Sequence, residues 1–299
     1  MEGRIDMTAQ HKPDEVSGDY SAMLPYWKMT GAILSGLQGM KDGGADFLPK
    51  YPDESTARHN FRIENGKLTN VLRDVCETLA QRPFAKEVVL KEGTASEEIE
   101  EFSYDVDGTG RSLHSFAGDV FFAGIANGID WVLVDYTANV PAGTTIAEEK
   151  RLGVRPYWVR YPATSVLAAY SDIIDGVEQF THVRLLENVV DRDGFGEKRI
   201  KQVRVFNREK LESGGYGPVT VTVWQRVMNS KTQVEDWVIS EPERPITLRK
   251  IPLVPFLTGR RDAPGGWVFN PPMRDAAELQ IELYQQECAL KNIKAYSAF

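Results

Sequence analysis

Apolar positions recur at helical spacing from the N-terminal region to Gly128, then at a period of about two through the middle of the chain, and again at helical spacing at the C-terminal end. Tyr26, Trp27, Ile33, Leu34, Leu37 and Met40 mark a first helix over Leu24 to Met40, closed by Asp42-Gly43-Gly44. The stretch from Phe47 to Phe84 is the most organised of the chain. Leu48-Pro49 and Tyr51-Pro52 hold it extended, because a residue before proline is pushed out of the α region. Asp53, Ser55 and Thr56 are then candidate N-caps, and Asp53 and Glu54 place negative charge where a helix dipole favours it. Ala57, Phe61, Leu68, Leu72, Val75 and Leu79 share one helical face, so a single buried stripe is expected over the whole length. Asn65-Gly66 interrupts it. A glycine costs about 1 kcal/mol in a helix interior, so two short helices with a bend compete with one continuous helix until Arg82-Pro83 ends the pattern.

From Glu87 to Thr109 the chain is acidic and reads as strand-like, with Asp107-Gly108 as a hairpin turn after Phe102 and Tyr104. Ser112 caps a strong helix with Leu113, Phe116, Val120, Phe121 and Ile125 on its buried face, ending at Asn127-Gly128. Trp131 to Asp135 follows as a buried strand. Between about 157 and 257 the pattern is mostly antiparallel β, with turns at Asp175-Gly176, Asp193-Gly194, Gly214-Gly215 and Glu241-Pro242. Val219, Val221 and Val223 face one way, and Thr220, Thr222 and Trp224 the other. Asn270-Pro271-Pro272 opens a last helix with two apolar sides: Met273, Ala277, Ile281, Tyr284 and Cys288 on one, Leu279, Leu283, Leu290 and Ile293 on the other. Such a helix is expected to be packed between neighbours. N-terminal helices, a mainly antiparallel β region and a long C-terminal helix define an α+β fold.

Length and composition sharpen this. At 299 residues, 42% hydrophobic and 26% charged, the chain is of soluble globular type with room for a large core. A net charge of −8 argues against a globally basic nucleic-acid binder. Cys76 and Cys288 are too few for a disulfide framework and fit a reducing compartment. No segment is apolar enough to span a bilayer, the longest notable run being Val120 to Ala126. Residues 1–19 are polar and read as a flexible tail, with Met7 a candidate native start and Met1 to Asp6 an extension. Residues 20–270 form the body, and 271–299 begin a long helix that stops at Tyr296-Ser297-Ala298-Phe299 without a cap, as though it continued.

Chemistry-bearing motifs are missing. There is no glycine-lysine phosphate loop, nucleophile elbow, HExxH or paired CxxC. His11, His59, His114 and His182 lack ligand spacing, so no metal is assigned, and no cofactor or catalytic residue either. Asp191 to Glu197 faintly resembles a calcium loop but lacks the third oxygen ligand before glycine and the acid at the twelfth position, and reads as a hairpin turn. Asp135, at the end of a buried strand, is the best candidate for a functional carboxylate. The competing reading is a cap, and a hydrolase using Asp135 with an acid from Asp105 to Asp107 is the enzymatic alternative. Arg249-Lys250 and Arg260-Arg261 read as solvated surface rather than phosphate contacts, and Trp224, Trp237 and Trp267 as sheet core rather than base-stacking platforms.

Taken in order, several of these features resemble the tailed-bacteriophage portal proteins. They are the Trp27 helix, Phe47-Leu48-Pro49-Lys50-Tyr51-Pro52-Asp53-Glu54, Phe61 to Phe84, and the Ser112 helix leading into Trp131 to Asp135. Pro156-Tyr157-Trp158 with Tyr161-Pro162, Ile251 to Pro255, and Asn270-Pro271-Pro272 with Leu279 to Ala295 complete the set. The resemblance spans residues 20 to 299 and covers the family's N-terminal, wing-like body. It implies a structural protein rather than an enzyme: a ring homo-oligomer, usually of twelve copies, at the portal vertex of the virion, assembled in the host cytoplasm. Double-stranded DNA passes through such a ring during packaging and ejection. The implied partners are other copies of the chain, the terminase large subunit, the major capsid or scaffolding protein, and head-completion or adaptor proteins, with no membrane. Another head or tail structural subunit is the alternative within the same class. Which residues would face DNA is not given by the resemblance.

Overall fold

The computed structural model describes residues 11–297 apart from 92, 137–144, 146, 147, 149, 150, 213, 229–234 and the side chain of Tyr296. The fold is α+β, with helices first, antiparallel sheets in the middle and a long C-terminal helix. The chain divides into a helical unit (residues 23–130, 256–260 and 269–299) and a sheet unit (1–22, 131–255 and 261–268). Residues 1–10, half of the expected tail, with Met7 and the extension before it, lie outside the described residues. Of the remainder, Ser17 donates its backbone N–H to Leu167 O at 2.9 Å, and α1 (Gly18–Leu34) begins directly after it.

In the helical unit, the helix expected over 24–40 is two. α1 ends at Leu34 and α2 (Gly36–Gly43) restarts at Gly36, whose φ of 77° is in the left-handed region that a side chain resists. The interrupted option also holds in the Phe47–Phe84 stretch, as α3 (Thr56–Glu64) and α4 (Val71–Gln81). Ser55 is the N-cap of α3, accepting from Arg58 N, and Asn70 caps α4 by accepting from Arg73 N. The single stripe is corrected by this break. Ala57, Phe61 and Val75 are exposed, whereas His59 and Arg62 of α3 and Leu72, Cys76 and Ala80 of α4 are buried. Two helices joined by a bend do not share one phase, so positions aligned on a continuous helix fall on different sides.

α5 (Glu97–Tyr104) replaces the strand expected after Glu87; Ser96 precedes it, and Glu97, Glu98 and Glu100 complement its N-terminal dipole. Asp107-Gly108 is a turn, closed by Val106 N donating to Arg111 O at 2.9 Å, but no strand pair leads into it among the described residues. α6 (Leu113–Asn127) is as expected. Ser112 Oγ accepts from Ser115 N, and Gly128, at φ 82°, donates to Gly124 O. Tyr26 and Trp27 of α1 donate to the carbonyls of Ala126 and Asn127 at 2.7 and 3.1 Å, satisfying groups that a helix end leaves open.

α7 (Arg274–Ser297) packs against α3 and α4. Ala277, Tyr284 and Cys288 are buried, as the first apolar side requires. Gln280 reaches past them: its Oε1 accepts from Val71 N and Leu72 N at 2.9 and 3.1 Å, and its Nε2 donates to Thr69 O at 2.9 Å. Gly66 lies under this helix. A Cβ there would stand 3.0 Å from Tyr284 Oη and 3.3 Å from Cys288 Sγ, which gives the helix-breaking glycine a packing reason. The second apolar side differs from expectation. Leu279, Leu290 and Ile293 face outward at 64%, 52% and 63% exposure, so α7 is packed on one side only.

The sheet unit holds a three-stranded sheet, antiparallel between β1 and β2, and a five-stranded antiparallel sheet. β1 (Ile129–Tyr136) lies between β2 (Pro156–Tyr161) and β8 (Leu253–Leu257), and pairs with β2 from Trp131↔Tyr161 to Tyr136↔Pro156. β3 (Val166–Ile174), β4 (Val177–Asp193), β5 (Gly196–Asn207), β6 (Thr220–Met228) and β7 (Glu235–Pro245) form a meander in chain order. Val219, Val221 and Val223 are buried, as the alternation requires. Glu241-Pro242 is no turn but part of β7. At the edge of a sheet the missing proline N–H breaks no ladder bond, so the strand continues through it. Trp131, Phe180 and Trp267 form one aromatic cluster with centroids 4.8 to 6.0 Å apart, and Arg261 lies over Trp267.

Candidate functional site

Strand register places the most concentrated buried chemistry of the sheet unit. Paired residues on antiparallel strands share a face, so β4, β5 and β6 present successive rows: Val183, Phe206, Val221; then Leu185, Arg204, Val223; then Glu187, Gln202, Gln225. The first row is apolar and the third wholly polar. β1 and β2 add Asp135, Tyr157 and Tyr161 by the same alternation.

These groups form one network. Arg204 Nη1 donates to Asp135 Oδ2 at 2.6 Å, and Arg204 Nε stands 3.0 Å from Glu187 Oε1, an ion pair without the angle of a hydrogen bond. Tyr161 Oη donates to Glu187 Oε1, Gln202 Nε2 donates to Glu187 Oε2 at 2.5 Å, and Gln225 Nε2 donates to Gln202 Oε1 at 3.0 Å. Burial works against the charge of Arg204, but Glu187, Tyr161 and Asp135 more than offset it and hold its pKa above the ordinary value. Burial, reinforced by Glu187, pushes the Tyr161 phenol well up. Arg204 therefore stays charged and Tyr161 protonated at neutral pH. The network contains no His, Cys or Ser, and its two carboxylates are engaged by Arg204, Tyr161 and Gln202. These contacts tie β1 and β2 to β4 and β5.

Asp135 is thus an engaged acid: Oδ1 accepts from Tyr136 N at 2.9 Å, a local backbone contact of the capping kind, while Oδ2 is held by Arg204. The acids named with it are occupied in the helical unit. Asp105 Oδ1 accepts from Gly108 N and Gly110 N at 2.9 Å each, and Asp107 accepts from Thr109 and Arg111. Burial pushes the Asp107 carboxyl up, but Arg111 and Thr109 outweigh it and hold it down to about 2.

A second lock fixes the segment that carries much of the sequence pattern. Arg62 Nε and Nη2 donate to Glu54 Oε1 and Oε2 at 2.9 and 2.8 Å, and Nη2 also to Pro49 O at 2.6 Å. Its guanidinium lies 4.1 Å from the Tyr51 ring centroid. His59 Nε2 meets Leu48 O at 2.7 Å, and Gln285 of α7 donates to Phe47 O at 3.0 Å. A proline disfavours helix in the residue before it, and side chains of α3 and α7 supply donors to the carbonyls of Phe47, Leu48 and Pro49.

The remaining candidates fall to structural roles. His11 pairs with Glu15, His114 accepts from Val88 N, and His182 pairs with Asn207. No group of three or more metal-binding side chains occurs among the described residues. Asp191 to Glu197 is the β4–β5 turn, with Gly194 at φ 61°. Arg261 donates to both oxygens of Glu178 at 2.9 Å, while Arg249, Lys250 and Arg260 are exposed. Trp267 is buried, and Trp224 and Trp237 are half-buried. Cys76 and Cys288 are free and buried, and burial pushes the Cys76 thiol to about 11.

Arg204, Glu187, Gln202 and Gln225 were not singled out from sequence, and Tyr161 entered only as part of the resemblance. A signal exists: in β4, β5 and β6 they continue the parity of Leu185, Phe206 and Val223, which marks polar side chains on a buried face. No family model matches the chain, and comparison with curated proteins finds no significant relative.

Proposed function

We propose that this chain is a structural portal subunit: copies of it form a ring at one capsid vertex, through which double-stranded DNA is packaged and ejected. The observation that carries the reading is α7. One side of this 24-residue helix supplies core, and the other sets Leu279, Leu290 and Ile293 in solvent with Leu283 half-buried between them, apolar side chains of the kind that neighbouring subunits cover. The Asp135 network supports the same reading, since its charges are consumed in holding strands together. The charge of −8 suits a channel that lets DNA slide, because many phosphate contacts give strong, salt-sensitive retention. Terminase, capsid or scaffolding protein and adaptor proteins are the partners this role requires.

Negative-stain microscopy of the purified chain tests it. Rings with a central channel are the expected result, and a uniform field of monomers at micromolar concentration contradicts a self-sufficient ring. Asp135→Asn separates this role from the hydrolase alternative: assembly is retained or weakened with folding, and no hydrolytic activity is there to be lost.

A further inference from the structure

The β4–β5 hairpin outruns its own sheet. β3 accompanies β4 only to Leu185, and β6 accompanies β5 only over Gln202 to Asn207. Beyond those points, from Asn188↔Lys201 to Asp193↔Gly196, the two strands pair only with each other among the described residues. At about 3.4 Å per residue this is an arm roughly 20 Å long. Both of its faces are open: Val189 and Val190 are exposed, and Phe195 at the tip is fully so. A two-stranded ribbon alone is marginal in water, and its free edges are templates for further pairing.

The sheet has a matching free edge. β7 is the last strand of the order, and its outer side has no partner in the sheet. Pro242 and Pro245 close the lower part of that edge to pairing, which leaves Glu235 to Glu241, a length close to that of the arm. The charges are opposite. Gly196 to Lys201 carries Lys198, Arg199 and Lys201 against Glu197, whereas Glu235 to Glu241 carries Glu235, Asp236 and Glu241 and no cation. Arg226 engages Glu235 at 2.8 Å and Arg244 approaches Glu241 at 3.8 Å, leaving Asp236 and a net negative edge. Apolar positions match as well, since Val238 and Ile239 are exposed on the edge as Val189 and Val190 are on the arm.

We infer that the β4–β5 arm of one copy docks, through its cationic β5 strand, along the β7 edge of a second copy. Within one chain the two cannot meet edge to edge, because β6 lies between β5 and β7. The contact uses two different surfaces of the same subunit, so it is heterologous and propagates head to tail, as a ring demands. The inference rests on the ring reading and names the contact that builds the ring.

Native mass spectrometry of the full chain with three variants tests it. Replacing residues 190–199 by Asn-Gly removes the arm. K198E/R199E/K201E reverses the arm, and the same chain with D236K/E241K reverses both surfaces. The assembled fraction should fall by about tenfold or more in the first two, since like charges face each other or the arm is gone, and return in the third. All reversed positions are exposed, so these variants test docking even where the shortened chain fails to fold. Undiminished rings without the arm overturn the inference and leave the ring reading standing, as does a doubly reversed chain that stays apart while the wild type assembles. A wild-type chain that remains monomeric overturns both.

Discussion

Two polar locks, one in each unit, solve the same problem under different conditions. In the helical unit, Arg62 and Glu54 have side chains only 2% and 7% exposed, and eight residues separate them in sequence. In the sheet unit, Arg204 and Asp135 are 24% and 23% exposed, 69 residues apart, and Glu187 stands by as a second acid. The first is dry, local and without redundancy; the second is wetter, non-local and shared among several groups. The local lock freezes the shape of a loop, and the shared one fastens strands that lie far apart in the sequence.

The difference predicts an order of damage. Glu54→Ala leaves a buried guanidinium with Pro49 O and the Tyr51 ring but no counter-charge, and should cost about 3–5 kcal/mol in urea denaturation. Asp135→Asn should cost about 1–2 kcal/mol, because Glu187 remains beside Arg204 and water reaches the site. A larger loss at Asp135 than at Glu54 breaks the comparison. Gly66→Ala comes between: a Cβ pressed against Tyr284 Oη, Ile63 O and Cys288 Sγ should destabilise by about 1–3 kcal/mol while leaving helix content unchanged by circular dichroism.

Asp107 gives the smallest effect and a pH signature. Its carboxyl is held down to about 2, below its ordinary value of 3.8, so its contribution is complete above pH 3.8 and lost as pH falls through about 2. Denaturation of the wild type and Asp107→Asn should therefore differ at pH 6 and converge as pH approaches 2. A difference that grows on acidification contradicts the assignment.

Local features were legible in the sequence. Ser112 and Gly128 bound α6 because caps act within one turn, and Val219, Val221 and Val223 lie buried because alternation is a property of one strand. Features that depend on distant partners were not. The acidic residues after Ser96 read as part of a strand until their place on the first turn of α5 gave them the dipole as a partner. The Phe47–Phe84 stripe failed because the buried face of α3 is polar, and His59 and Arg62 become core residues only when Leu48 O, Pro49 O and Glu54 fold back onto them. Asp135 was visible as a strand-end carboxylate, but its meaning came from Arg204 across two sheets' worth of chain. α7 was read as apolar on both sides, and only the fold distinguishes the side that is core from the side left in solvent.

That outward side is the central claim, and the mass of the assembled chain tests it most directly. Native mass spectrometry at micromolar concentration should give a closed complex at a twelve-fold multiple of the 33.6 kDa chain, lost when Leu290 and Ile293 are both changed to lysine without loss of monomer stability. A single species at 33.6 kDa for the wild-type chain would contradict it.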